Sequence, residues 1–319
     1  MDEILQIIKE HDNFVLSGHV GPDGDAIGSC FALALALNGM GKQARVVIDT
    51  YAQKYNIIPG KELIVTKDFE ALQPKVFIAL DCADVDRLSE TARDLFERTE
   101  ITICVDHHET NAGFAMFNYI EPRASSTAEM TFNIIDCLTD ITTDIAAAIY
   151  AGMVCDTSGF KYNATAKSTM VTAARLMEII PFTNIYNELM HFHRFAAGKA
   201  LGIALENAKR TRSKKVVYTA LSREMLKSVR ACDGDIDNVV EYLMGTRKAL
   251  VAIFAYEKKG ERGRVKVSLR SHGPDVGRVA LALGGGGHVL AAGALVEGTL
   301  EKVLKRTLLL VKKEVERFT

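Results

Sequence analysis

No part of the chain approaches the roughly 18 to 20 uninterrupted apolar residues that a membrane-crossing helix requires. The N-terminus also lacks a charged leader running into an apolar stretch and a cleavage site. These absences argue against a membrane protein and lead us to expect a cytoplasmic one. Cysteines are few and scattered: the six (Cys30, Cys82, Cys104, Cys137, Cys155 and Cys232) form no CxxC pair and fall short of the density of a secreted disulfide scaffold, so they are expected as thiols. Internal repeats and low-complexity tracts are missing too, which leaves an ordinary globular chain of 319 residues, 48% hydrophobic and 25% charged.

That length suits two cores better than one. The net charge of -1 hides a division. Residues 1–190 carry 14 basic and 27 acidic side chains, whereas residues 191–319 carry 25 and 13. One half should attract cations and the other anions, although drift of surface charge would look the same.

The first half alternates short β-branched runs with longer helical patterns, as a parallel sheet flanked by helices does. Strands are expected at Phe14 to Ser17, Arg45 to Asp49, Val76 to Leu80 and Ile101 to Val105. Helices are expected at Ala26 to Leu37, Thr127 to Leu138, Asp144 to Cys155 and Ser168 to Ile180. Pro181 marks a break, and residues 191–215, which end in a basic run, read as a helical linker. Residues 216–319 then form a smaller α/β unit with strands at Val216 to Ala220, Leu250 to Tyr256 and Val265 to Leu269. Its last helix repeats apolar residues from Leu300 to Val315 at intervals of three or four, so that one stripe packs on the sheet. The expected organisation is therefore α/β throughout, with domains at 1–190 and 216–319.

Four polar clusters in the first half each follow an apolar run: His19-Val-Gly-Pro-Asp23-Gly-Asp25, Asp81-Cys-Ala-Asp84, Asp106-His107-His108 and Asp156-Thr-Ser-Gly-Phe160. Ligands of open parallel sheets bind outside the strand carboxyl ends, where residues distant in sequence converge. Taken singly, each cluster is equally a polar turn, a helix cap or a satisfied histidine. Taken together, Asp23, Asp25, Asp81 and Asp156 carry a charge that two divalent ions would balance, and His19 and His107 complete six ligands. Adjacent histidines cannot both face one ion from a strand, so His108 is left for substrate and Asp106 for support of the ligands. Oxygen and imidazole without thiolate suit Mn²⁺, while Mg²⁺, Co²⁺, Fe²⁺ and Zn²⁺ remain open. Paired ions about 3.5–4 Å apart are a means of cleaving phosphate esters.

The second half carries Gly284-Gly-Gly-Gly-His288-Val-Leu-Ala-Ala-Gly293, preceded by Ser268-Leu-Arg270-Ser271. Consecutive glycines let backbone amides approach an anion, and a helix is expected to start near His288 with its positive end free. A plain flexible turn fits the glycines equally well. Arg270 offers a planar fork to a phosphate.

In these motifs and their order the chain resembles the DHH/DHHA1 phosphoesterase superfamily. The resemblance rests on HxxxDxDA at His19 to Ala26, DCAD at Asp81 to Asp84, DHH at Asp106 to His108, Asp156, and GGGGHxxAAG at Gly284 to Gly293. It implies that His19, Asp23 and Asp81 hold one Mn²⁺ and that Asp25, Asp81, His107 and Asp156 hold the other, with Asp81 bridging. It further implies that Asp106 and His108 are catalytic, with His108 facing the scissile phosphate. Arg270, Ser271, Gly285, Gly286, Gly287 and His288 would bind substrate, with the active site in the cleft between the domains. Within the superfamily the chain is most similar to the nano-RNase/pAp phosphatase type, which implies short oligonucleotides and 3'-phosphoadenosine 5'-phosphate (pAp) as substrates. A homodimer is allowed, whereas long duplex nucleic acid and a membrane are not expected as partners. Cyclic or linear dinucleotides and pyrophosphate or polyphosphate are the alternative substrates. Val20-Gly21 before Pro22 departs from the family pattern, which often has Asn before the proline.

Overall fold

The structure, a computed structural model, describes residues 1–162, 164–261 and 263–318. It separates into two compact units, Met1–Phe192 and His193–Thr319.

In the first unit, five strands, β1 (Phe14–Ser17), β2 (Ala44–Val46), β3 (Val76–Leu80), β4 (Ile101–Asp106) and β5 (Phe117–Ile120), form one sheet in the order β2-β1-β3-β4-β5. Every pairing is parallel. The central strands are buried on both faces, as a parallel sheet between helices requires. Alternate residues divide between two cores. Phe14, Leu16, Val76, Ile78 and Leu80 join the larger one with helices α1 (Asp2–Glu10) and α2 (Gly24–Gly39). Val15, Phe77 and Ala79 join a smaller one with α3 (Glu90–Arg98). The larger core continues through α4 (Thr127–Asp136), α5 (Thr143–Asp156), α6 (Lys167–Met177) and α7 (Phe182–Met190). The sequence pattern does not mark β5, a half-exposed edge strand with little periodicity.

Helices α2 and α5 are apolar nearly all round and approach closely. A Cβ at Gly28 would lie 2.5 Å from the carbonyl oxygen of Ala148, and one at Gly152 would lie 2.6 Å from Ala128 Cβ and 3.0 Å from an Asp25 oxygen. These glycines bring the start of α2 and the end of α5, which carry Asp25 and Asp156, toward one place.

The second unit begins with α8 (Phe195–Glu206), whose Ala200 and Ala204 are fully buried in its core. Much of the stretch read as a linker, 191–215, is thus built into this unit. It also contributes strand β6 (Lys209–Arg210), which pairs antiparallel with β7 (Val216–Leu221). Helices α9 (Arg223–Ser228) and α10 (Val239–Met244) follow, then β8 (Val251–Glu257), β9 (Arg264–Ser271), α11 (Val276–Ala282), β10 (Gly286–Gly287), β11 (Ala291–Glu297) and α12 (Leu300–Phe318). The sheet order is β10-β11-β9-β8-β7-β6, with only β7 and β8 parallel. Val303, Val311 and Val315 of α12 are buried against one sheet face, with Leu300, Leu304 and Leu308 beside them, as their spacing predicts.

One expectation is corrected here: no helix starts near His288. Gly284, at φ +84°, instead closes α11, with Gly285 N–H donating to the Ala280 carbonyl and Gly284 N–H to that of Leu281, the paired bonds of a left-handed C-terminal cap. Gly286–Gly287 then pairs antiparallel with Gly293–Ala292, and His288 to Leu290 form the turn. The glycines serve close approach, since a Cβ at Gly285 would lie 2.2 Å from the Gly293 carbonyl oxygen.

None of the described helices is long and apolar enough to cross a membrane, and all six cysteines are free thiols.

The Gly28 contact gives a test of the helix packing. Gly28→Ala is expected to destabilise the protein by about 1–3 kcal/mol through overpacking. Gly39→Ala, at an open position, should be neutral or stabilising by up to about 1 kcal/mol. Chemical denaturation of both variants checks the contrast, and equal midpoints would show that the α2–α5 contact is not tight.

Candidate metal centre

The carboxyl ends of β1, β3 and β4 deliver three of the four expected clusters, and the ends of α2 and α5 deliver the remaining acids. Asp23 is the N-cap of α2, and one of its oxygens accepts hydrogen bonds from Asp25 N (2.9 Å) and Ala26 N (3.2 Å). His19 lies just beyond β1, with its Nε2 4.0 Å from Asp23 Oδ1 and 3.7 Å from Asp81 Oδ2. Asp81 follows β3 at φ +55°, in the left-handed region that Asp adopts more readily than most side-chain-bearing residues. Only 2% of it is exposed.

Asp25 is fully buried at the first turn of α2. Its two oxygens accept from backbone amides at the start of α4, Oδ2 from Thr127 N (2.7 Å) and Oδ1 from Ala128 N (2.8 Å). The Thr127 hydroxyl donates to Asp81 Oδ1 (3.1 Å). The N-terminus of α4 therefore grips two of the expected ligands with groups of the sign they need.

His107 and His108 follow β4, with their ring centroids 4.9 Å apart. His107 Nε2 lies 3.6 Å from both Asp81 Oδ1 and Asp156 Oδ2. His108 Nδ1 is hydrogen-bonded to Asp106 Oδ1 at 2.7 Å and lies 3.8 Å from Asp81 Oδ1. The second Asp106 oxygen accepts from Asn111 Nδ2 (2.7 Å), which also donates to the Cys82 carbonyl (3.2 Å) and so ties the loops after β3 and β4 together. Asp106 thus positions His108, and both histidines border the same oxygen of Asp81.

Electrostatics distinguishes these acids. Burial, followed by the charges of Asp81, Asp156 and Asp23, pushes the Asp25 carboxyl well above the ordinary range. Burial, then Asp23, Asp156 and Asp106, does the same to Asp81. Asp156 is raised by burial, with His107 opposing. For Asp106 burial acts upward, but hydrogen bonds from His108 and Asn111 outweigh it and hold the carboxyl below its usual value. The same Asp106 bond raises the His108 imidazole. Cys82, Cys104 and Cys155 are pushed up to about 12 by burial, and none of them joins a group of candidate ion donors among the described residues.

The donors fall into overlapping groups, His19 with Asp23 and Asp81, Asp25 with His107 and Asp156, and Asp81 with His107 and His108, each within 4.8 Å. Separations of 3.6–4.0 Å between imidazole nitrogen and carboxylate oxygen are too long for hydrogen bonds. They fall within the span of about 4.2 Å open to two donors that each lie about 2.1 Å from one shared ion. Donor chemistry and spacing therefore both fit divalent cations.

In the second unit Arg270 lies on β9, on the face opposite Leu269, paired across the sheet with Ala291. Its Nε donates to Glu241 of α10 and its Nη1 to the Leu269 carbonyl (3.1 Å). Ser271 is 6% exposed, and its hydroxyl accepts from Gly273 N (3.1 Å), so it is engaged in shaping the turn. Gly286, Gly287 and His288 are exposed and Gly285 is half-buried.

Thr127 and Asn111 are the residues that the motifs alone do not mark. The signal for Thr127 was the capping sequence Ser126-Thr-Ala-Glu129, in which Ser126 Oγ accepts from Glu129 N, because it fixes where α4 begins. Asn111 has no comparable signature.

The comparisons with known proteins agree with this architecture. The model of the DHH family, N-terminal domain, matches residues 13–153, and that of the DHHA1 domain matches residues 213–316. A Thermus thermophilus protein named bifunctional oligoribonuclease and PAP phosphatase NrnA is 31% identical over 98% of this chain and 94% of its own length. A Bacillus subtilis protein of the same name is 24% identical over 92% of each chain. A solved structure described as an exopolyphosphatase-related protein from Bacteroides fragilis superposes with a TM-score of 0.90 at 26% identity, covering 98% of this chain and 95% of that one. The chain belongs to the DHH family of phosphoesterases, with the DHH N-terminal domain followed by a DHHA1 domain.

Proposed function

We propose that this protein is a two-ion, Mn²⁺-dependent phosphoesterase that hydrolyses very short oligonucleotides to mononucleotides and pAp to AMP and phosphate. The observation that carries the reading is Asp81, whose Oδ2 faces His19 of one donor group while its Oδ1 faces His107 of the other. One carboxylate shared between two cation sites is the arrangement that paired-ion phosphate chemistry needs. The names of the relatives from T. thermophilus and B. subtilis support the substrate class.

In this reading His19, Asp23 and Asp81 hold one ion, and Asp25, Asp81, His107 and Asp156 hold the second. Divalent ions there would make water nucleophilic at neutral pH and neutralise the phosphoryl oxygens. Asp106 holds His108 through Nδ1, which leaves the Nε2 edge to donate to a phosphoryl oxygen as charge develops on it. Water adds to phosphorus, the P–O bond to the ribose breaks, and the leaving oxygen departs as an alcohol. In the second unit Arg270 grips another phosphate of the substrate, with His288 and the 285–287 backbone alongside. The small Ala291 and Gly293 lie on the same sheet face as Arg270. Contacts to phosphate rather than to the base would let one site take both pAp and oligonucleotides.

Two measurements test this reading. Ion-free protein titrated with Mn²⁺ should gain thermal stability, by about 5–10 °C at a hundredfold excess over Kd. The gain should be larger at pH 8 than at pH 5.5, because Asp25 and Asp81 hold protons above the usual carboxylate range and protons compete with the ion. Asp81→Asn should abolish the gain, and a gain that persists in this variant would place the ions elsewhere. Second, kcat/KM with Mn²⁺ on pAp, a dinucleotide, a five-mer, a cyclic dinucleotide and pyrophosphate should rank pAp and the short linear oligonucleotides highest. Arg270→Ala should raise KM about tenfold or more on pAp and a trinucleotide. Preference for pyrophosphate, or unchanged kinetics in Arg270→Ala, would overturn the substrate assignment or the role of Arg270 respectively.

A further inference from the structure

Asp81 is shared between two donor groups, yet an Asp side chain can turn about its last bond. With the carboxylate turned, both oxygens serve one ion and the second site loses a ligand. The imidazoles around it, His19 Nε2 at 3.7 Å, His107 Nε2 at 3.6 Å and His108 Nδ1 at 3.8 Å, are beyond hydrogen-bonding distance, so the groups that set the plane of the carboxylate are few. Thr127 is one of them, and its hydroxyl donates to Oδ1 at 3.1 Å. Oδ1 is the oxygen 3.6 Å from His107 Nε2, whereas Oδ2 lies 3.7 Å from His19 Nε2.

Thr127 is itself held rigidly. It is fully buried as the first residue of α4, after the N-cap Ser126. Its own N–H is committed to Asp25 Oδ2 at 2.7 Å, and Ala128 N–H donates to the other oxygen of Asp25. The turn behind it is locked by Glu129, whose Oε2 accepts from Ser125 Oγ (2.6 Å) and Thr169 Oγ1 (2.9 Å). Gly152 of α5 packs against the same turn, since a Cβ there would meet Ala128 and Asp25. The hydroxyl therefore projects from a fixed base onto the oxygen that His107 Nε2 and His108 Nδ1 also approach.

We propose that Thr127 is a positioning residue that holds Asp81 in the bridging orientation, so that it governs occupancy of the second ion site rather than binding of the first ion. This inference rests on the two-ion reading above. Groups that orient a metal ligand typically contribute about 10–100-fold to affinity. The effect should fall on the site that Oδ1 serves, with His107, Asp25 and Asp156.

The test is Mn²⁺ titration of ion-free protein by calorimetry, with electron paramagnetic resonance to detect a spin-coupled Mn²⁺ pair. Wild type should take up two ions and show the coupled pair. Thr127→Val keeps shape and backbone amide but lacks the hydroxyl. It should bind the first ion within a fewfold of wild type, bind the second about 10–100-fold more weakly, and lose the coupled signal at sub-saturating Mn²⁺. Thr127→Ser should restore both. Melting of each variant in chelator serves as the folding control, and Thr127→Ala takes the place of Thr127→Val if the latter does not melt cooperatively. Wild-type affinity for both ions in the hydroxyl-less variant would overturn the inference, as would a Ser variant as impaired as the Val variant. Wild type that binds a single ion would overturn the two-ion reading itself, a result read from the unmodified protein alone.

Discussion

Like-charge repulsion among buried carboxylates is the constraint around which the first unit is organised. Asp25 and Asp156 bring donor oxygens within 4.8 Å of each other, and Asp81 adds a third acid that is only 2% exposed. At an effective dielectric of about 20, two unit charges at that separation repel by about 3.5 kcal/mol, a large fraction of what holds any domain folded. The protein meets part of this cost at Asp25, where two amide donors at the start of α4 contribute about 1.5–3 kcal/mol each as bonds to a charged acceptor. The dipole of α4 adds about 1–2 kcal/mol at most. Asp81 and Asp156 receive no comparable set of amides among the described contacts, and the remaining charge is what a divalent cation balances.

Backbone geometry follows from that requirement. A parallel sheet in the order β2-β1-β3-β4-β5 places the ends of its central strands β1, β3 and β4 side by side, which is why His19, Asp81 and the Asp106–His108 run meet although they span some 90 residues. Asp25 and Asp156 arrive instead on helices, and only close approach of α2 to α5, allowed by Gly28 and Gly152, brings them to the same point. Helix packing in this unit therefore builds the site as well as the core.

The two histidines of the Asp106-His107-His108 run both border Asp81 and differ in their other partners. His107 faces Asp81 and Asp156, while His108 is turned by Asp106, which Asn111 in turn anchors. In the second unit the acid–base balance is reversed, and Arg270 is met by Glu241 rather than by a cluster of acids.

The sequence by itself determined the α/β class, the ends of β1 and β3 to the residue, and the family, and it named the acids and imidazoles that the fold brings together as a candidate metal centre. Those features follow from local pattern: apolar runs that stop at a polar turn, and motifs of fixed spacing. Tertiary structure alone decided the rest. Strand β11, rich in Ala and Gly, has little strand propensity of its own and exists because β9 pairs with it along its length. The glycine run, which reads equally as an anion loop or a turn, became the end of α11 and a tight hairpin because the chain there packs against Gly293 and Ala294. Thr127 lies 46 residues from Asp81 and 102 from Asp25, so its grip on both is set by the packing of α4 and not by any local pattern.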